Sequence, residues 1–127
     1  MHRKSIIIFL MLVLMGCSEW FYVEYKFSNI TVPEYDALLS ELVSIIKMHG
    51  FRLERTISRC PGEEEFIIRK DNDDSESFEI VVARERNTII IGGMAKFASM
   101  SAIEHEFREA ACKLLKDNNK ISRTEGP

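Results

Sequence analysis

The chain has 127 residues, of which 46% are hydrophobic and 29% are charged, and its formal net charge is -3. This composition is that of a folded globular protein, and the length fits one domain with a single core. The small negative charge supplies no large cationic field, which argues against a nucleic-acid binder.

The first sixteen residues have the pattern of a signal peptide. His2, Arg3 and Lys4 form a short basic start, and ten uninterrupted apolar residues follow from Ile6 to Met15. A helix of that length rises only about 15 Å, half the hydrocarbon thickness of a bilayer. The run is therefore too short to serve as an ordinary transmembrane anchor.

The end of this run, Leu14-Met15-Gly16-Cys17, resembles the lipobox of bacterial lipoproteins, and the resemblance covers residues 1 to 18. It implies that a signal peptide over residues 1 to 16 is removed and that Cys17 carries the lipid, including palmitate-type acyl chains. Two or more acyl chains hold a protein durably on a membrane. Ser18 follows the cysteine, where inner-membrane lipoproteins carry aspartate, so the resemblance implies the periplasmic face of the outer membrane.

Residues 17 to 127 are expected to form a single lipid-anchored domain, which begins with a strand. Apolar side chains alternate with polar ones from Phe21 to Phe27, as in a strand with one buried face. Trp20 and Tyr22 fall on the polar side, close to Cys17, and amphipathic aromatics favour the headgroup zone. The sequence therefore predicts a membrane-interface contact at these two residues. The alternative is a disordered tether over residues 18 to 22.

The first helix is predicted from about Pro33 to His49. Thr31 and Glu34 have the spacing of a capping box, and Gly50 supplies a left-handed residue that ends the helix. Apolar residues recur at 3.6-residue spacing, which predicts one packed face.

Four strand-like runs follow, connected by short polar turns, and they end in a second helix. The runs are 51 to 57, 65 to 70, 77 to 84 and 88 to 92. Ser101 and Glu104 have capping-box spacing, so this helix is predicted to start there and end near Lys116. A polar tail is expected from about residue 118.

The pattern predicts an α+β fold in the order β-α-β-β-β-β-α. Two helices would pack on one face of a mostly antiparallel sheet of four to five strands, with the other face open. That open face would carry charged side chains that pair across strands: Arg52, Glu54, Arg69 and Glu79.

Two cysteines remain after lipidation of Cys17. A secreted protein often oxidises such a pair, so a Cys60 to Cys112 disulfide is one expectation. Helical spacing places Cys112 on the polar side of the second helix, where the loop around Cys60 would have to reach around. The sequence leaves the disulfide and two reduced thiols as equal alternatives.

No cofactor or metal site is predicted, apart from the covalent lipid. Glu104, His105 and Glu106 are adjacent on a helix, so their side chains point about 100° apart and do not converge on one ion. The run Asp71 to Ser75 resembles a calcium loop in its alternating oxygen groups. It has Glu76 and Val82 where such loops have glycine and glutamate, which favours a solvated turn.

Met94, Phe97 and Met100 are apolar residues in a connection that would ordinarily be polar. They are predicted either to cover an edge of the sheet or to form an exposed patch that docks a partner. With no catalytic constellation in the sequence, we expect a non-enzymatic envelope protein that binds another envelope protein. The alternatives are a module that binds a lipid, glycan fragment or peptide, and, less favoured, a small enzyme.

Overall fold

The structure is a computed structural model that describes residues 18 to 59, 62 to 71 and 73 to 126. The signal peptide, Cys17 and Cys60 lie outside the described residues. The elements in chain order are β1 Ser18–Phe27, α1 Val32–Met48, β2 Phe51–Ser58, β3 Glu63–Lys70, β4 Asp73–Ala83, β5 Thr88–Lys96, α2 Phe97–Leu115 and β6 Ile121–Glu125. The predicted α+β class is confirmed, with two helices on an antiparallel sheet, although the described sheet has six strands and not four or five.

The strands lie in the order β2-β3-β4-β5-β1-β6, and every neighbouring pair is antiparallel. Strands β2 to β5 are joined by short turns, so each pairs with the next along the chain. Strand β1 pairs instead with β5 on one side and β6 on the other. Strands β1 and β2 lie far apart in the sheet because α1 connects them. Its 17 residues make a helix about 25 Å long, which carries the chain across the sheet.

The sequence predicted a polar tail from about residue 118, but Ile121–Glu125 of that segment form strand β6. Residues 121 to 125 pair with Val23 to Phe27 of β1. The segment contains one apolar side chain, Ile121, so its sequence carries no strand-like alternation. It is a strand because the outer edge of β1 offers unpaired backbone groups to a nearby chain.

The helices cover one face of the sheet and enclose the core. Its largest fully buried apolar side chains are Tyr25, Leu38, Leu42, Ile46, Ile68, Phe78, Ile80, Ile89, Ile91, Ile103 and Phe107. The predicted capping box of α1 is confirmed, because the Glu34 backbone N–H donates to Thr31 Oγ1 at 3.2 Å. In return, the Thr31 N–H donates to Glu34 Oε1 at 2.9 Å.

Helix α2 begins at Phe97, four residues before the predicted start, so the Ser101–Glu104 capping box is wrong. The helix is capped from a neighbouring strand. The backbone N–H of Lys96 donates to Glu76 Oε1 at 2.9 Å, and Glu76 is only 1% exposed. A carboxylate is stabilised at this position because the first turn of a helix presents unsatisfied N–H groups and a positive dipole end.

Strand β5 also continues beyond its predicted end, through Gly92 and Gly93 to Lys96. Gly93 has a φ of 143°, and a Cβ there would lie 2.5 Å from Phe78 Cα and 2.7 Å from the Ser77 carbonyl oxygen. A Cβ on Gly92 would meet Tyr22 Cδ2 at 3.4 Å, an ordinary contact. The two neighbouring glycines therefore differ sharply in what they tolerate.

We predict that Gly93→Ala lowers the free energy of unfolding by about 2–3 kcal/mol, because the new methyl group overlaps the β4 backbone. The matched change Gly92→Ala should cost well under half as much. Urea unfolding of both variants measures the difference. Equal losses at the two positions would contradict the packing of β4 against β5 described above.

Candidate functional site

The face of the sheet opposite the helices carries a broad groove. Sheet register places Trp20 beside Met94 and Met94 beside Ser77 in one row across the strands. In the next row Tyr22 lies beside Gly92, and Gly92 beside Glu79. We call this cavity of about 640 Å³ the open-face groove. The open-face residues that line it are Trp20, Tyr22, Ser75, Ser77, Glu79, Val81, Ile90, Gly92 and Met94.

Glycines on both sides keep the ring of Tyr22 accessible within this groove. Gly92 flanks it on β5, and Gly126 flanks it beyond β6, where the Gly126 N–H donates to the Tyr22 carbonyl at 2.9 Å. A Cβ on Gly126 would overlap the ring, 2.2 Å from Tyr22 Cδ1, and a Cβ on Gly92 would contact it at 3.4 Å. Val81 and Ile90 are half-buried and continue the apolar floor. The result is an aromatic and aliphatic surface open to solvent.

One end of the groove is acidic. Glu65 and Glu79 lie on the open face of β3 and β4, and Glu65 is only 4% exposed. Arg59 Nη2 approaches Glu65 Oε2 at 2.6 Å. A hydrogen bond with the Glu65 carboxyl, partial burial and the charge of Glu65 raise the pKa of Glu79, and the charge of Arg59 partly offsets this effect. One guanidinium thus faces two carboxyl groups, and a further cation would be favoured there.

The predicted open-face charges are found where expected. Arg52, Glu54, Arg69 and Glu79 are all exposed. Arg69 Nε lies 2.5 Å from Glu54 Oε2, an ion pair between β3 and β2. Arg52 instead pairs with Asp71 at 3.3 Å. The open face is therefore charged on β2 and β3, whereas its exposed aromatic side chains lie near the start of β1.

A second groove, of about 660 Å³, lies between β1 and α2 and extends around the edge of the sheet to Trp20 and Tyr22. At its base the Tyr25 hydroxyl donates to Glu104 Oε1 at 2.5 Å, and Arg123 Nε donates to the same oxygen at 2.7 Å. Burial, followed by the hydrogen bond to Glu104, raises the pKa of Tyr25, and the hydrogen bond with Glu104 raises that of Arg123. These groups satisfy one another, so the cluster links β1, α2 and β6 and has a structural role.

The two histidines among the described residues form separate surface pairs. His49 Nε2 lies 2.7 Å from Glu106 Oε2, which joins the end of α1 to α2. His105 lies 3.2 Å from Glu109, one turn further along α2. Among the described residues, no three His, Cys, Asp or Glu side chains come together as a metal ligand set would.

The proposed disulfide remains a prediction. Cys112 is half-buried on α2, and Cys60 lies outside the described residues.

The predicted patch of Met94, Phe97 and Met100 is wrong as a single surface. Met94 lies on the open face of β5 and is half-buried, whereas Met100 is 6% exposed and belongs to the core. Phe97, the first residue of α2, is 62% exposed. The three side chains separate because the strand changes into a helix between Lys96 and Phe97, which changes the direction of successive side chains.

Trp20 and Tyr22 both lie on the open face, as the alternation predicted, and Trp20 is 79% exposed. Residues 18 to 22 are part of β1 and not a disordered tether. Their contact with a membrane stays a prediction.

The acidic pair and the Tyr25–Glu104–Arg123 cluster were missed by sequence reasoning. Glu65 and Glu79 are fourteen positions apart, and only the register of β3 with β4 makes them neighbours. The nearest signal was the run of three glutamates from Glu63 to Glu65, which a solvated strand end explains equally well.

No protein-family model and no curated protein matches the chain. Among solved structures, the crystal structure of the adenosylmethionine decarboxylase from Aquifex aeolicus VF5 is similar over 87% of this chain and 91% of its own, with 6% identity and a TM-score of 0.48. A similarity of that size carries no functional argument. Within the described residues, no helix is both long and apolar enough to cross a membrane.

The acidic pair predicts a pH-dependent stability. The pKa of Glu79 is higher in the folded protein than in the unfolded chain. Its protonated carboxyl therefore contributes to folding stability fully below the ordinary glutamate pKa, and this contribution is lost as pH rises through the folded-state pKa. Glu79→Gln should therefore stabilise the protein near pH 7, by about 0.5–1 kcal/mol since Glu79 is exposed, and should lose this advantage near pH 4. Urea unfolding at the two pH values measures it. Ser77→Ala, a neighbouring change that does not titrate, is the control, and a Glu79→Gln variant no more stable at pH 7 would contradict the pairing.

Proposed function

We propose that this chain is a lipid-anchored protein of the bacterial cell envelope that acts without catalysis, by binding another envelope protein. Its role would be assembly, inhibition or regulation of that partner. The observation that supports this proposal best is the open-face groove, an exposed surface with an apolar floor across β1, β5 and β4 and an acidic end on β4 and β3.

The lipobox resemblance supports the location. Residues 1 to 16 have the signal-peptide pattern, and Cys17 stands where lipoproteins carry their acyl chains. Lipid on Cys17 would keep the domain at the periplasmic face of the outer membrane, as the serine at position 18 implies by the same resemblance. A partner in that compartment then meets the groove at a high local concentration.

The composition of the groove favours a protein as the partner. Tyrosine is one of the residues enriched at binding hot spots, and Tyr22 is exposed in this groove. The carboxyl pair at the other end favours a basic side chain, because in the part of the chain that the structure describes one guanidinium, that of Arg59, is shared by both carboxyl groups. A partner loop with an apolar residue above Tyr22 and Ile90 and a Lys or Arg beside Glu79 would satisfy both ends.

The alternative is a ligand-binding module for a lipid, glycan fragment or peptide. The groove exceeds the roughly 300 Å³ that such a site needs. However, it lies on the surface of the sheet and not between the sheet and the helices, where the core is filled. This arrangement favours a macromolecular partner, and a small envelope enzyme is the least supported reading.

The anchor is tested by Cys17→Ser. The parent protein should incorporate labelled palmitate and fractionate with outer membranes, whereas the variant should take up no label and keep its leader. The variant keeps the leader of residues 1 to 16 and lacks the lipid, so the two forms should differ in mobility. Identical mobility, fractionation and labelling would overturn the proposed location.

The groove is tested by crosslinking in intact cells. A photoreactive residue at position 22 should capture one envelope protein in stoichiometric amount, and Glu79→Lys should reduce that capture about tenfold by opposing the partner's basic group. The same residue at position 32 is the control, because Val32 is also exposed but lies on α1, away from the groove. Capture that is equal from both positions or insensitive to Glu79→Lys would argue against a partner at this surface, and a glycan or lipid adduct would favour the alternative.

A further inference from the structure

One end of the domain is held next to the proposed anchor. Strand β1 begins at Ser18, the residue after Cys17. One residue of chain spans at most about 3.6 Å, so an acylated Cys17 leaves no spacer between the bilayer and the sheet. Ser18 is paired with Lys96, the last residue of β5, and α2 starts at the next residue.

The two most exposed aromatic side chains among the described residues lie at this end. Trp20 is 79% exposed and projects on the open face of β1. Phe97 is 62% exposed and projects from the first turn of α2. We call the group of Ser18, Trp20, Lys96 and Phe97 the anchor rim. Trp20 and Phe97 also line the groove between β1 and α2, so the aromatic surface extends across the rim.

We infer that the anchor rim enters the headgroup region of the bilayer, with Trp20 and Phe97 as its membrane contacts. This inference rests on the proposed function, because the acyl chains on Cys17 are what hold the rim against the membrane. Aromatic side chains are stabilised in the headgroup zone, and an apolar contact beside the lipid adds a second attachment. Phe97 thus contacts lipid and not the partner, whereas Tyr22, two residues further along β1, remains for the open-face groove.

Trp20 is the single tryptophan of the chain, so its fluorescence reports on the rim directly. The experiment uses the acylated full-length product in vesicles of phosphatidylethanolamine and phosphatidylglycerol, with and without brominated acyl chains. Trp20 emission should lie at a shorter wavelength than that of tryptophan in water, and brominated lipid should quench most of it. Acrylamide quenches from water, so its quenching of Trp20 should be severalfold weaker than its quenching of tryptophan in water.

Phe97→Ser should weaken quenching by brominated lipid, while circular dichroism shows that the fold is retained. Val32→Ser is the matched control, because it removes an equally exposed apolar side chain from a helix start away from the rim. If brominated lipid quenches the Phe97→Ser variant as strongly as the parent, Phe97 does not contact the membrane.

Trp20 that stays open to acrylamide and is not quenched by brominated lipid, in protein shown to carry palmitate, would overturn the rim contact and leave the anchor intact. Protein that incorporates no palmitate would overturn the anchor, and the rim contact with it. The two failures are thus distinguished by palmitate labelling of the same sample.

Discussion

The ladder between β1 and β5 is the interaction on which the other features depend. It runs from Ser18 to Lys26 without a break in register. On the helix face it places Val23 and Tyr25 beside Ile91 and Ile89, in the centre of the core. On the opposite face the same pairing places Trp20 and Tyr22 beside Met94 and Gly92. Because successive side chains of a strand alternate between faces, a shift by one residue would bury the exposed aromatics and expose the core.

Polar groups inside the domain show which contacts the fold requires. Glu76 is buried beside the start of α2, where its Oε1 accepts from the Lys96 N–H and its Oε2 has no hydrogen-bond partner among the described residues. Glu104 lies between the Tyr25 hydroxyl and the Arg123 guanidinium, so its charge is balanced at the junction of three elements. By contrast, Glu65 and Glu79 face one guanidinium together. Glu104 is thus neutralised within the domain, whereas Glu65 and Glu79 share one guanidinium and would be stabilised by a further cation.

The two proposed contacts divide the exposed aromatic residues of β1 according to their distance from the anchor. Trp20 lies near the end of the sheet and Tyr22 one row further along. A lipid on Cys17 would bring the first to the bilayer and leave the second facing the periplasm. The same strand would therefore attach the domain and present the groove, so a partner would approach close to the membrane surface.

Much of the fold could be predicted from sequence because local patterns determined it. Alternation placed β1 and its exposed aromatics, the Thr31–Glu34 pair placed the start of α1, and short polar turns implied antiparallel neighbours. The signal-peptide pattern and the resemblance at Leu14 to Cys17 are likewise properties of contiguous residues, and no tertiary contact enters them. The start of α2, strand β6 and the acidic pair were decided only by the tertiary structure. Glu76 caps a helix twenty residues away, β6 exists because β1 offers an edge, and Glu65 meets Glu79 through strand register. Each depends on which distant backbone groups become neighbours, and the spacing of residues along the chain does not contain that information.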